Sequence, residues 1–246
     1  MNFSDFTAFV REVFNDDKGF IILHDPRFIG NERKYLLDAM DSNFVSSVGE
    51  YVGKFEQAIC EYTGSKYAIA AVNGTSALHI CLLLAGVKAD EEVITQPVSF
   101  IATCNAISYT GARPVFVDVD RRTMGMSAEK LEDFLKENAR KGADGFTYNN
   151  KTGRRFAAVV PMHTFGHPCD LDGIVEVCER YNIALVEDSA ESIGSYYKGK
   201  HTGLFGKLSA LSFNGNKVST TGGGERILTQ DEELAKLAKH IKKKKK

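Results

Sequence analysis

The sequence has no tryptophan, no CxxC pair, and no apolar run reaching the roughly 18 residues that a membrane span needs. The missing tryptophan carries no functional information, because 16 Phe and 9 Tyr supply the aromatic bulk. The lack of a long apolar run argues against a helical membrane protein. Five cysteines (Cys60, Cys81, Cys104, Cys169 and Cys178) are odd in number and scattered in spacing, so reduced thiols are expected rather than a disulfide framework. The start, Met1-Asn2-Phe3-Ser4-Asp5, has neither the basic flank nor the apolar core of a signal peptide, and a cytoplasmic location is the expectation. Neither sign of charge dominates. The formal net charge is −1, but the last five residues are all lysine and contribute +5, which leaves −6 on the rest. Outside that tail the basic residues are mixed with acidic ones, which argues against a nucleic-acid surface. No internal repeat is visible.

The composition that is present, 43% hydrophobic and 26% charged over 246 residues, fits a globular protein of one large domain, or one domain and part of another. The amino-terminal stretch reads as two or three short helices. In one of them Tyr51, Phe55, Ile59 and Tyr62 form an apolar face, and Gly64 supplies the stop. Beyond it, strands are expected at 67–72, 93–95, 114–118, 157–161, 183–187 and 208–213, with helices at 76–85, 101–109, 127–138 and 171–181. Such alternation implies right-handed βαβ crossovers and a mostly parallel sheet flanked by helices. Residues 141–155, rich in Gly and Asn, read as a surface excursion. In an open α/β sheet, ligands bind outside the carboxyl ends of the strands, so residues there are the functional candidates.

Three segments stand at such ends. Asn73-Gly74-Thr75-Ser76 opens a helix after the first strand. It suits a phosphate, through unpaired N–H groups and the helix dipole, but taken alone it reads more readily as an ordinary cap. Asp188-Ser189-Ala190-Glu191 follows a buried strand, where an aspartate could hold a cationic ring nitrogen or simply cap a turn. Ser212-Phe213-Asn214-Gly215-Asn216-Lys217 precedes the run Thr220-Thr221-Gly222-Gly223-Gly224. A lysine held rigidly at a strand end can serve as a Schiff-base amine, although most lysines are solvated surface groups. A further cluster, His163, His167 and Cys169, contains metal-ligand residue types. It lies on a loop punctuated by Gly and Pro, without a second pair at zinc-type spacing.

Taken in this order, these segments resemble the DegT/DnrJ/EryC1/StrS family of pyridoxal-phosphate sugar aminotransferases, from about Phe28 to Ile241. The stretches from Thr95 through Phe100 to Ile107, from Gly111 to Asp118, and from His163 to Asp170 are similar to family segments, as is the spacing from Ser212 to Lys217. The resemblance implies a fold-type-I, aspartate-aminotransferase-like large domain (31–241) behind an amino-terminal helical arm (1–30). Residues 242–246 would then be a poly-lysine end left by truncation or frameshift, with the family's small carboxy-terminal domain missing. It implies Lys217 as the Schiff-base lysine and proton shuttle, and Asp188 as the partner of the pyridinium nitrogen. Phe100 would stack on the ring, while Thr75, Ser76 and Ser212 would bind the phosphate. Glu191 stands where the family usually has Gln beside the cofactor's phenolic oxygen, a place where a carboxylate repels a phenolate unless protonated or paired. The wording is most similar to bacterial enzymes that use glutamate to aminate C4 of a UDP-linked 4-keto-6-deoxy-N-acetylhexosamine in legionaminic acid, bacillosamine and related surface-sugar pathways. A homodimer is the family expectation, with no nucleic acid or membrane as partner. Family relatives that dehydrate sugars carry histidine in place of the lysine, so Lys217 speaks against that activity. Two departures are plain. Glu225 and Arg226 stand where the family continues with Gly and an apolar residue, and the chain is much shorter than family members. A remnant that binds pyridoxal phosphate or a full-length subunit without turnover is therefore the alternative.

Overall fold

A computed structural model of the chain describes residues 3–22, 24–44 and 49–243. Residues 244–246 of the lysine end lie outside them. Helices α1 (Ser4–Phe14) and α2 (Glu32–Asp41) bury no residue, so the core begins at α3 (Glu50–Thr63). That helix stops where Gly64 turns left-handed (φ 77°) and its N–H caps Cys60 O. Of the expected apolar face, Phe55 and Ile59 pack inward, whereas Tyr62 stays 55% exposed with its ring edge toward His201.

The chain continues as β1 (Tyr67–Ala71), α4 (Gly74–Leu84), β2 (Glu92–Thr95), α5 (Ile101–Tyr109), β3 (Arg113–Phe116), α6 (Ala128–Asn138), β4 (Ala139–Lys141), β5 (Thr147–Asn149) and β6 (Phe156–Val160). It ends with α7 (Leu171–Tyr181), β7 (Ala184–Asp188), β8 (Tyr196–Tyr197), β9 (Lys200–His201), β10 (Leu208–Ser212), β11 (Glu225–Thr229) and α8 (Glu232–Lys243). The main sheet runs β1-β11-β10-β7-β6-β2-β3, parallel throughout except for β11, which is antiparallel to both neighbours. This is the mostly parallel sheet expected from the strand–helix alternation. Strands β2, β6 and β10 are buried at every residue, as strands covered on both faces must be. Pro114, which cannot donate to a ladder, falls on the edge strand β3.

Residues alternate between two apolar layers. Ile69, Val93, Val160, Val186 and Ile227 face α4, α5 and α8. Ile94, Val159 and Leu185 join the residues of α6 and α7, while Ala68, Leu211 and Leu228 meet α3. Each fully buried Leu or Ile contributes about 1.5–3 kcal/mol relative to exposure. The segment expected to be a surface excursion before a strand is mostly exposed and carries a short hairpin ahead of β6. Its β4–β5 hairpin buries Thr147 and Asn149, and Asn149 Nδ2 donates to the buried Glu92 carboxylate at 2.8 Å.

Strand β11 has no counterpart among the expected strands, because it starts with a charged pair. Both residues are buried, at 1% and 4% exposure for Glu225 and Arg226. Arg226 points toward α3, its guanidinium 3.6 Å from the Phe55 ring centroid, and its Nε has no partner. Burial lowers its pKa to about 10 against the pull of Glu56 and Glu225. Taking a cation out of water costs several kcal/mol unless its donors are well paired, and Arg226 Nε is not. Arg226→Met is therefore expected to raise the melting temperature by several degrees, read by circular dichroism; a drop would contradict this reading of the strand.

Candidate active site

Because β11 alone runs against the sheet, its first residue lies at the same edge as the last residues of β1 and β10. Glu225 pairs with Ala71 on one side and Ser212 on the other. At this carboxyl edge a cavity of about 450 Å³ opens, lined among others by Thr75, Phe100, Asp188, Glu191, Ser212, Lys217 and Glu225. Six of the seven residues singled out in the sequence thus come together. Ser76 does not line the cavity, and its amide is already taken by the Asn73 side chain, which caps α4 at 2.9 Å.

Lys217 stands in the loop after β10 with its side chain 12% exposed, and its Nζ donates to Glu191 Oε1 at 2.9 Å. The same Nζ lies 5.9 Å from the Phe100 ring centroid. Phe100 precedes α5 in extended backbone and is 68% exposed, so it is not a core residue. An aromatic face left bare beside a cavity is what a flat ligand can cover.

Asp188 ends β7 and is buried. Thr103 Oγ1 donates to its Oδ2 at 2.6 Å, and the Ala190 amide donates to Oδ1 at 3.3 Å. Burial pushes its pKa up, against those hydrogen bonds and the charge of Lys217. A carboxylate raised by burial gains most from a cation placed against it. Thr103 is the residue that sequence reading missed here. It sits one turn into α5 from Phe100, on the same helix face, and that i, i+3 spacing was the available signal.

Behind the edge, Glu187 accepts from the amides of Gly203, Phe205 and Gly206 at 2.7–2.8 Å and pairs with His163 Nε2 at 3.2 Å. The Cys169 amide donates to His163 Nδ1, which leaves Nε2 as the ring's donor toward Glu187. His163 and Cys169 are therefore engaged with protein groups, and no group of three potential metal ligands occurs among the described residues. Gln96 is a second buried organiser, accepting from the amides of Met126 and Met162 at 2.8 and 3.1 Å. Phe165 lines the cavity with φ at 52° and 83% exposure, a conformation costing a bulky residue about 1–2 kcal/mol. Both lie in stretches similar to family segments, but no pattern in the residues themselves marks either one.

A family model of the DegT/DnrJ/EryC1/StrS aminotransferase family matches residues 27–244. A curated relative from Caulobacter vibrioides, described as GDP-perosamine synthase, is 42% identical over 210 residues, covering 85% of this chain and 52% of that protein. The X-ray structure of an aminotransferase from Psychrobacter cryohalolentis superposes with a TM-score of 0.75 at 33% identity, over 87% of this chain and 51% of the other. A GDP-4-keto-6-deoxymannose-3-dehydratase with a trapped PLP-glutamate geminal diamine superposes at 0.76 and 26% identity, over 89% and 54% of the two chains. The chain belongs to the DegT/DnrJ/EryC1/StrS aminotransferase family, whose members use pyridoxal phosphate, and it spans about half the length of the relatives it matches.

The residues present fit the ring half of that cofactor. They offer a shielded lysine amine, a buried carboxylate short of positive charge, and an uncovered aromatic face. At the phosphate half, the donors of Ser212 and the α4 amino terminus face a side chain of the protein itself. Ser212 Oγ donates to Glu225 Oε1.

Proposed function

We propose that this chain holds pyridoxal phosphate through Lys217 and serves amino transfer from glutamate to C4 of a nucleotide-linked 4-keto-6-deoxy sugar. The observation that carries the proposal is the convergence of Lys217, Asp188 and Phe100 on one cavity at the carboxyl edge of a fold-type-I sheet. When bound, the cofactor supplies an electron sink at which an amino group can change hands. The residues divide the remaining work. Asp188, held by Thr103 and the Ala190 amide, offers a fixed negative charge to a protonated ring nitrogen. Phe100 covers one face of the ring. Lys217 supplies the nucleophilic Nζ, and Glu191, paired with it at 2.9 Å, steers that amine and is the proton acceptor nearest to it. This pairing gives Glu191 a place in the site that does not require it to face a phenolate. Thr75, at the amino end of α4, lines the same cavity and would offer its hydroxyl to the phosphate.

The sugar class rests on likeness. Sequence wording favours a UDP-linked N-acetylhexosamine, and the relative's name favours a GDP-linked sugar. A homodimer and a cytoplasmic location belong to the same proposal. The test is glutamate-dependent formation of 2-oxoglutarate, with pyridoxal phosphate and one 4-keto-6-deoxy sugar of each class. Turnover with one class and not the other names the substrate, and no 2-oxoglutarate with either rejects amino transfer by this chain. Cofactor binding without turnover is the second reading, favoured by the carboxylate of Glu225 against the phosphate-side donors.

A further inference from the structure

A phosphate cradle at a helix amino terminus needs free N–H and hydroxyl donors and no competing anion. Here the cradle already contains one. Glu225 lies against Gly74, the first residue of α4, so closely that a Cβ there would come within 2.9 Å of Oε1 and 3.5 Å of Oε2. The Ser212 hydroxyl donates to Oε1, while Oε2 is buried without a hydrogen-bond partner. Among the described residues lining the cavity, Lys217 is the only cation, facing three carboxylates: Asp188, Glu191 and Glu225. Lys217 is already paired with Glu191.

We infer that Glu225 is a built-in occupant of the phosphate cradle, so that a phosphate enters only when this carboxylate is protonated or displaced. The inference rests on the cofactor reading only for the identity of the anion. Topology gives it a cause. The antiparallel course of β11 puts Glu225 between the ends of β1 and β10, and strand alternation turns it toward α4 while Arg226 turns toward α3. A dianion beside an ionised, buried carboxylate would be strongly repelled, whereas the neutral acid can donate to a phosphate oxygen. Burial first, then the charge of Asp188, pushes the Glu225 pKa to about 8, against Ser212, Lys217 and the Gly74 amide. The charged groups that face it are thus Asp188 from β7 and Lys217 from the loop after β10, with the helix end of α4 opposite and Arg226 on the far side of its own strand. The acid is neutral below about pH 8 and charged above, so phosphate binding should fade as pH rises through that value.

The test compares the original chain with Glu225→Gly, which clears the cradle, and Glu225→Gln, which keeps the shape and removes the charge. Three probes are used: inorganic phosphate, pyridoxal phosphate, and pyridoxal, which lacks the phosphate. Phosphate protection is read as a melting-temperature rise at pH 7 and pH 9, and capture at Lys217 by borohydride reduction and mass spectrometry. Both variants are expected to bind pyridoxal phosphate at least tenfold tighter than the original chain at pH 9. Both should gain phosphate protection at that pH, and the gain for pyridoxal phosphate should exceed any change for pyridoxal, which has no phosphate to exclude. In the original chain, phosphate protection should be confined to the lower pH. Equal affinities for the phosphorylated probes in all three proteins overturn the inference, and pyridoxal capture at Lys217 would then leave the cofactor reading standing. Gain of phosphate protection in the variants, with no capture of either aldehyde, supports the occupied cradle and rejects the cofactor reading instead.

Discussion

Asp188→Asn is expected to weaken retention of pyridoxal phosphate roughly a hundredfold while leaving the cofactor-free fold as stable or more so. The first half follows from removing one member of a buried charge pair, which costs about 2–5 kcal/mol of binding, with 1.4 kcal/mol per tenfold. The second half follows from the cavity without cofactor. Burial raises the Asp188 pKa above its ordinary value of 3.8, so the folded state takes up the proton more readily than the unfolded one. Stability contributed by that proton is full at low pH, and it is lost as pH rises through the folded pKa. The neutral amide removes this loss, and the Thr103 hydroxyl can turn to accept from the new NH₂ group. Melting curves at pH 4 and pH 8, with a titration of the cofactor by absorbance, separate the two effects. An Asn variant that melts lower at pH 8 and binds the cofactor as tightly would show that Asp188 merely caps the turn.

Glu187→Ala is expected to lower the melting temperature by roughly 10 °C. The side chain is fully buried, and it satisfies three backbone amides and the His163 ring. Deleting it leaves those donors unpaired, and breaking such a buried set costs about 3–5 kcal/mol. In a chain of this size each kcal/mol moves the midpoint by about 2–4 °C. Burial by itself would raise the Glu187 pKa, but the His163 bond and the amides outweigh it and hold the carboxyl below its ordinary 4.5. Its contribution is therefore present above that value and fades as pH falls through the lower folded value. The difference between variant and original chain should accordingly shrink in acid. A midpoint change of 1–2 °C, the same at pH 4 and pH 8, would mean that the amides find water instead.

Much of this architecture was readable because it follows from local periodicity. Helices 101–109 and 171–181 were bounded correctly, and each expected parallel strand was placed within a residue or two of its position. The segments that hold Thr75, Asp188, Ser212 and Lys217 were legible for a related reason, since alternating strands and helices bring strand ends to one edge whatever the details of packing, whereas Phe100 was singled out by the family resemblance alone. What escaped depends on register and backbone conformation. Thr103 matters only because α5 turns it toward Asp188, and Gln96 only because Met126 and Met162 present their amides to it. Phe165 would need its φ to be known beforehand. Strand β11 was hidden by Glu225 and Arg226, whose charges contradict the apolar pattern of a central strand. The direction of Glu225 into the cradle followed only once the strand was seen to run antiparallel. The short strands of the β4–β5 hairpin lie among Gly and Asn, where periodicity has too few residues to register.

The most direct test of the central claim is to add pyridoxal phosphate to the purified chain, reduce with borohydride, and locate the modified lysine by peptide mass spectrometry, with Lys217→Ala as control. The arrangement of Lys217, Asp188 and Phe100 predicts a single adduct on Lys217 that vanishes in the variant. Adducts scattered over exposed lysines, equal in both proteins, would contradict it.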